Sequence, residues 1–560
     1  MQSCSPNQQQ TSQSDVHDRD SKIEKWVEVF QPSVMSREER MKELRWFREA
    51  AKDLRGLNIY SAAENIDTHY WESRVLTRAF EDITGIKAVH RIIPEGDLVP
   101  LVVEQMEKNI RHYDIYVSDA DLIGYHLRTK AIVNLTEYIG GEGKKYTNPY
   151  LDLDDFLNLE FGQDYDGNQL QLADEQFVNL YWFRYDWFTR EDIKKQFKAK
   201  YSYELGVPVN WSAYEDIAEF FTNTKIDGKK VYGHFDYGKP GPSLGWRFTD
   251  AWLSIAGVGD KGLPNGMPVD EWGIRVENRI PVGSSVTRGG EINGPAAVYA
   301  LEKYIEWLKK YAPPEARNWE WHDAGALCAR GNIAQHIFQY VTWLSDPVFH
   351  TPGSPVCDKE GKPLWRVAPT PHGRYWDEGM KVGYQDPGSW TIPKNTTGKQ
   401  RAAAWLWAQF CVSKTVELKK FLIGGTPVRK STVFSDYLTQ HMDDYGGIID
   451  FYRSSDAKRY TGSGRNVPHY PKLASLWWKN ISKAMTGELT PQQAMDNLAK
   501  EQDAVMGSLK MAAYSPVLNK EKKKEDWLYG HPADVSPKAP RPRPKPVTMP
   551  YDELIKQWKR

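Results

Sequence analysis

Residues 57–93 read LNIYSAAENIDTHYWESRVLTRAFEDITGIKAVHRII, and this stretch decides the fold. Leu57 to Ala62 has the composition of a strand. After it, Val75, Leu76, Ala79, Phe80 and Ile83 recur at the three- and four-residue spacing that places them on one helical face. Thr84-Gly85 stops that helix, with Gly85 in the C-cap role, and Lys87 to Ile93 reads as a second strand. A strand, a helix and a strand in this order open an α/β sheet, and a further helix from Leu98 to Asn109 and a strand from Tyr113 to Ser118 continue it.

Before this unit, residues 1 to about 20 are polar and two short helical stretches run to about Lys52. After it, Asp166-Gly167 signals a hairpin turn between Tyr165 and a strand from Gln169 to Leu172, and Asn179 to Phe188 is strand-like and aromatic. From Trp211 onward helices dominate: Val298, Leu301, Ile305 and Leu308 line one face, Ala402 to Val412 reads as a buried helix, and Thr490-Pro491 opens another. Lys538 to Pro546 is rich in Pro and basic residues, a strap or linker, with a docking helix predicted over Tyr551 to Trp558.

At 560 residues the chain exceeds what one hydrophobic core supports, which predicts two lobes. The 73 Lys and Arg balance 74 Asp and Glu with no basic stripe, so nucleic acid is not an expected partner. The 22 Trp and 30 Tyr, many beside polar residues, suit molecules that carry both C–H faces and hydroxyls, although core packing also consumes aromatics. No run reaches the roughly 20 apolar residues of a membrane span. Cys328 and Cys357 are near enough in sequence to pair in an oxidising compartment; buried free thiols are the other reading for these two and for Cys411.

Catalytic signatures are missing: no phosphate-binding Gly-rich loop with Lys-Ser/Thr, no His-Glu-x-x-His, no Gly-x-Ser-x-Gly elbow, no zinc-spaced Cys/His set. The acidic spellings Asp152, Asp154, Asp155, Asp164 and Asp166 lack calcium-loop spacing and read as turn chemistry, so neither metal nor cofactor is expected. Paired carboxylates at Asp119/Asp121 and Asp174/Glu175 could serve a glycosidase, or could accept hydroxyl hydrogen bonds without doing chemistry. Polar residues fall at the ends of predicted strands, where open α/β sheets bind ligands: Glu64 and Asn65, then Asp119 and Asp121, then Asp174, Gln176 and Asn179.

Ordered landmarks carry a resemblance. They are Phe80-Glu81-Asp82-Ile83-Thr84-Gly85-Ile86, Asp114-Ile115-Tyr116-Val117, Gly167 to Ala173 with Phe183-Arg184-Tyr185-Asp186-Trp187, Asn210-Trp211-Ser212-Ala213-Tyr214-Glu215, Gly331-Asn332-Ile333-Ala334, and Pro471 to Trp478. Over residues 55 to 514 the chain resembles the extracellular solute-binding proteins of carbohydrate ABC importers, the group that includes maltose-binding protein. Trp-rich phrases such as Leu244-Gly245-Trp246-Arg247-Phe248-Thr249-Asp250-Ala251-Trp252 and Gly383-Tyr384-Gln385-Asp386-Pro387-Gly388-Ser389-Trp390 are similar to the long polyol-binding members of the rhizobial glycerol-importer type.

That resemblance implies an α/β, two-lobe periplasmic-binding-protein fold of open sheets flanked by helices, joined by hinge segments, with the ligand in the cleft. It implies a tether and helical extension over 1–54, a first lobe over 55–175 with 387–430 returning to it, a second lobe over 178–384 with 431–514 returning to it, and a tail over 515–560. The function implied is binding of glycerol or a related polyol or sugar and delivery to an ABC permease, with no catalysis, by a monomer in the bacterial periplasm. Met1-Gln2-Ser3-Cys4-Ser5 resembles the end of a lipobox, so Cys4 is either a lipid anchor or part of a disordered start. The cleft residues implied are Glu64, Asn65, Asp119 and Asp121 from the first lobe, and Asp174 and Gln176 at the hinge. Trp246, Arg247, Gln339, Trp477 and Trp478 come from the second lobe, and Tyr384, Asp386 and Trp390 from the return crossing. Trp246, Trp390 and Trp477 equally suit a core, and Arg247 an ion pair with a nearby acid such as Asp250. The rival classes are a carbohydrate-active enzyme using an acidic pair and a non-transport sensor or adhesin.

Overall fold

Asn58–Ala63 and Lys87–Ile92 are parallel strands in continuous register from Asn58↔Lys87 to Ala63↔Ile92, joined by the helical segment the sequence predicts. That segment runs Asp67–Trp71, a π turn over Glu72–Leu76, and Thr77–Thr84, and it stops at Gly85, whose φ of 73° is the left-handed cap that glycine adopts without strain. This computed structural model describes residues 13–118, 122–259, 272–277, 280–321, 323–338, 347–376, 383–461, 464, 467–509 and 540–559.

Around this unit the first lobe builds a five-stranded sheet. Its order is Lys87–Ile92, Asn58–Ala63, Ile115–Ser118, Ser389–Thr391 and Leu172–Ala173, the last two antiparallel to their neighbours. Ser389–Thr391 reaches the sheet only after the chain has built the second lobe and come back. Among the segments that cross between the lobes, the strands Phe177–Val178 and Gly383–Asp386 pair antiparallel through Gln385↔Val178 and Asp386↔Phe177. The second lobe is centred on Leu180–Arg184, flanked antiparallel by Gln335–Phe338 and Trp365–Ala368. Every residue of Leu180–Arg184 is buried, the pattern of a strand covered on both faces.

The aromatic run predicted as one strand over Asn179–Phe188 is split. After Arg184 the chain turns into the short helix Tyr185–Phe188, and the Arg184 guanidinium grips the Asp186 carboxylate at 2.8 and 2.7 Å across the break. The predicted turn at Asp166-Gly167 is present, with Asp164 Oδ1 accepting from the backbone N–H of Asp166 and of Asn168, both at 2.9 Å. The sheet strand that follows it is shorter than the predicted Gln169–Leu172, running only over Leu172–Ala173, because Gln169 instead pairs back to Gln163. The helix predicted to open at Thr490-Pro491 does so with a capping box of Thr490 and Gln493, and the helix that begins at Trp211 is capped by Asn210, whose Oδ1 accepts from Ala213 N at 3.1 Å.

Helices Gln13–Val29 and Arg37–Ala50 pack on the first lobe, where Phe30, Phe47, Phe80 and Trp407 surround Phe410 or one another in one aromatic cluster. Each such buried ring contributes about 1.5–3 kcal/mol, which fixes this extension to the lobe. At the other end, Thr548–Met549 adds a strand to Val207–Pro208, and Tyr551–Trp558 is a helix with Leu554 and Trp558 buried. Cys328, Cys357 and Cys411 are buried thiols; Cys328 Sγ lies 3.2 Å from His336 Nε2 rather than on Cys357. Among the described residues no helix is long and apolar enough to cross a membrane.

Candidate functional site: the junction of the two lobes

The carboxyl ends of the first-lobe strands converge where the crossing segments leave. Glu64 and Asn65 follow Asn58–Ala63, and Asp174 and Glu175 follow Leu172–Ala173, with the N–H groups of Asp174 and Glu175 both donating to the Gly388 carbonyl at 2.8 and 3.0 Å. That shared acceptor ties the outgoing crossing to the return one. On the other side of these segments the two crossing strands are held together by Asn158, whose Nδ2 donates to Gln176 Oε1 at 3.1 Å and to Gln385 Oε1 at 2.9 Å. Gln176 is wholly buried, with its N–H on Thr426 Oγ1 at 2.6 Å and its carbonyl accepting from Tyr452 Oη at 2.8 Å.

At the root of the first lobe lies a buried cluster of charge. The Lys420 ammonium donates to Glu72 and Asp174 at 2.7 Å each, and the Trp390 indole donates to the same Asp174 oxygen at 2.6 Å. His69 Nδ1 donates to the Glu64 carbonyl at 2.9 Å, while its Nε2 stands 3.6 Å from Asp174 Oδ2 and 3.9 Å from Glu175 Oε2. Burial works against a charge on His69, yet Glu175, Asp174, Glu72 and Glu64 outweigh it and lift the imidazole to about 10. For Asp174 burial is again outweighed, by Lys420 and His69, which hold its carboxyl below the usual range. Burial pushes Glu72 and Glu175 up and, with His69 beside it, His90 down to about 3.

Asp174, Gln176 and Trp390 are thus brought to the junction, but with their polar groups committed to one another and to the frame. The neighbour of Asp174 is different: Glu175 is wholly buried and neither carboxylate oxygen has a hydrogen-bond partner among the described residues. In the sequence Glu175 stands out only as half of an acidic pair, and no motif spacing marks His69 or Lys420.

In the second lobe, Arg247 is wholly buried and paired with Asp236 through two bonds of 2.8 and 2.9 Å; the side chain of Asp250 lies outside the described residues. It also donates to the Ile337 carbonyl and, at 3.3 Å, to Asn179 Oδ1 on the crossing segment. The Asn179 Nδ2 and Trp246 Nε1 donors are buried without a partner among the described residues, and Trp246 stacks on Tyr470 at 6.4 Å. Trp477 is core, packed on Phe248 and Trp272, and Trp478 is half-buried. Tyr384 and Asp386 lie in the return crossing strand. Their side chains, together with Asp119, Asp121, Gln339 and Cys4, lie outside the described residues.

The lobes meet at one more place. His469, at the start of the helix Tyr470–Thr486, packs its ring on Tyr125 at 4.8 Å and approaches Glu107 Oε1 to 3.4 Å, both in the first lobe. At the opposite end of the helix Glu95–Lys108, which also carries Glu107, a Cβ on Gly96 would meet Pro242 Cγ at 3.8 Å.

Two lobes, each with its own sheet, crossing strands between them and a late return of the chain to the first sheet define the architecture of the solute-binding proteins of ABC transporters, and the chain has that two-lobe, MalE-like fold. It is similar to the solute-binding protein of Agrobacterium radiobacter K84 in complex with ribitol, at 19% identity and a TM-score of 0.62 over 81% of this chain and 99% of that one. It is likewise similar to maltose-bound MalE3 of T. maritima, at 18% identity and a TM-score of 0.60 over 80% and 100% of the two chains. A third is the solute-binding protein of Agrobacterium vitis S4 with bound D-mannitol, at 17% identity and a TM-score of 0.57 over 80% and 98%. No family model matches the chain.

Proposed function

We propose that this chain is the solute-binding component of an ABC importer, a non-catalytic protein of the bacterial periplasm that holds a small polyol or sugar between its lobes and hands it to the permease. The observation that carries the reading is the pair of buried, unpartnered hydrogen-bond donors Asn179 Nδ2, on the crossing segment, and Trp246 Nε1, in the second lobe. Leaving such groups unsatisfied costs about 1–3 kcal/mol each, a cost that a ligand rich in hydroxyls removes, since each hydroxyl both donates and accepts. The ribitol, mannitol and maltose bound to the similar structures support the same ligand class.

Within that class the finer reading is glycerol or a related short polyol. Glycerol has about six non-hydrogen atoms, so at about 1.5 kcal/mol per atom its binding is limited to about −9 kcal/mol, or sub-micromolar. Titration of intrinsic Trp fluorescence with glycerol, ribitol, mannitol and maltose tests the assignment: a micromolar response to a polyol is expected. A response to maltose alone moves the ligand to the sugars, and silence to all four removes the reading.

A further inference from the structure

His69 is set up as a ligand. Its Nδ1 is spent on the Glu64 carbonyl, which leaves Nε2 as the working nitrogen, wholly buried and without a hydrogen-bond partner. Metal-bound imidazoles are oriented in this way, by a hydrogen bond from the other ring nitrogen to a carbonyl or carboxylate. Nε2 faces Glu175 Oε2 at 3.9 Å and Asp174 Oδ2 at 3.6 Å, and both of these oxygens also lack a partner among the described residues. Glu64, His69 and Glu175 each offer one donor atom, and the three atoms lie within 4.8 Å of one another. The cationic side chain bonded into this cluster, Lys420, gives its bonds to Glu72 and Asp174. Glu175 is a wholly buried carboxylate that faces the His69 imidazole at 3.9 Å without a hydrogen bond, so the desolvation of its oxygens is left uncompensated by any bonded donor among the described residues.

We propose that Glu64, His69 and Glu175 form a binding site for a divalent transition-metal ion, Zn2+ by its donor set, at the point where the crossing segment leaves the first lobe. One imidazole nitrogen with two carboxylate oxygens suits zinc, whereas calcium takes six to eight oxygens. Zinc bonds of about 2.0–2.2 Å hold tetrahedral donors about 3.4 Å apart, so the three side chains need to draw together by no more than about 1.5 Å. The donors come from the first strand's end, the helix after it and the crossing segment, so the ion fastens the crossing segment to the first-lobe sheet. Asp174 Oδ2 lies beside the donors as an acceptor that can orient them or serve as a fourth ligand.

The full chain, freed of metal with a chelator, is titrated calorimetrically with Zn2+ and separately followed by the visible absorption of Co2+. One ion per chain at sub-micromolar affinity is expected, with E175Q and H69Q each weakening it at least 100-fold. H112Q, which removes the exposed His112 beside Glu104, is expected to leave it unchanged. No stoichiometric binding, or full binding in E175Q, overturns the site; loss in H112Q assigns the binding to the surface and overturns it equally. Should H69Q fail to fold, a zinc-edge anomalous map of the wild-type chain decides: a peak among the three side chains supports the site and a peak elsewhere ends it.

Discussion

Two buried charge clusters stand on either side of the crossing segments, and they are built in opposite ways. In the second lobe Arg247 and Asp236 satisfy each other through two bonds, and the Trp252 indole donates to the same carboxylate at 3.1 Å, so both oxygens of Asp236 are occupied. In the first lobe His69 Nε2, Glu72 Oε2, His90 Nε2, Asp174 Oδ2 and both Glu175 oxygens are buried without hydrogen-bond partners among the described residues. A closed network of this kind rigidifies the lobe that contains it, while an open one stores a penalty that something must relieve. The open hydrogen-bonding capacity of the first-lobe cluster thus contrasts with the mutually satisfied Arg247–Asp236 pair of the second.

The hardest way to break that contrast is Asp236→Ala. It strands a buried guanidinium, and a loss of about 3–5 kcal/mol in urea unfolding is expected. If the variant keeps its stability while losing ligand, the second-lobe cluster is part of the binding surface after all.

The first-lobe cluster is expected to show itself through pH. Glu417, next to it on the helix Lys414–Leu422, is pushed up to about 7 by burial, so its folded pKa lies above the unfolded value of 4.5. Its contribution is fully present below pH 4.5 and is lost as pH rises toward 7, because the folded state there binds the extra proton. Glu417→Gln removes a downward slope of up to about 1.4 kcal/mol per pH unit across that window, as urea unfolding at stepped pH reads out. An unchanged slope would show that Glu417 is ionised in the folded protein.

The smallest change sharpens the comparison from the ligand's side. Asp119→Ala is expected to weaken polyol binding by about 10- to 150-fold, the 1.5–3 kcal/mol of a hydrogen bond to a charged acceptor, while the melting temperature of the ligand-free protein stays nearly constant. A large fall in melting temperature without ligand would move Asp119 from the binding surface into the frame.

Much of the fold was legible because its signals are local. The strand, helix and strand over residues 57–93, the turn at Asp166-Gly167 and the helix start at Thr490-Pro491 each depend on residues within a few positions of one another, and all stand in the structure. The junction was less legible. Lys420 meets Asp174 across 246 positions, and Trp390 meets it across 216, so no spacing announces that Asp174 is held internally while Glu175 is not. The Arg247–Asp236 pair, 11 positions apart, is hidden for the same reason: it follows the packing of a π turn and its neighbouring strands, which single-sequence periodicity does not encode.

Asn158 has a mechanical consequence. One amide nitrogen carries two hydrogens, and here each goes to a different crossing strand. Sliding one strand along the other breaks at least one of these bonds, at about 0.5–1.5 kcal/mol, whereas turning both about the amide keeps them. The soft coordinate of the junction is therefore rotation around a spindle at Asn158, and shear between the two strands is the stiff one.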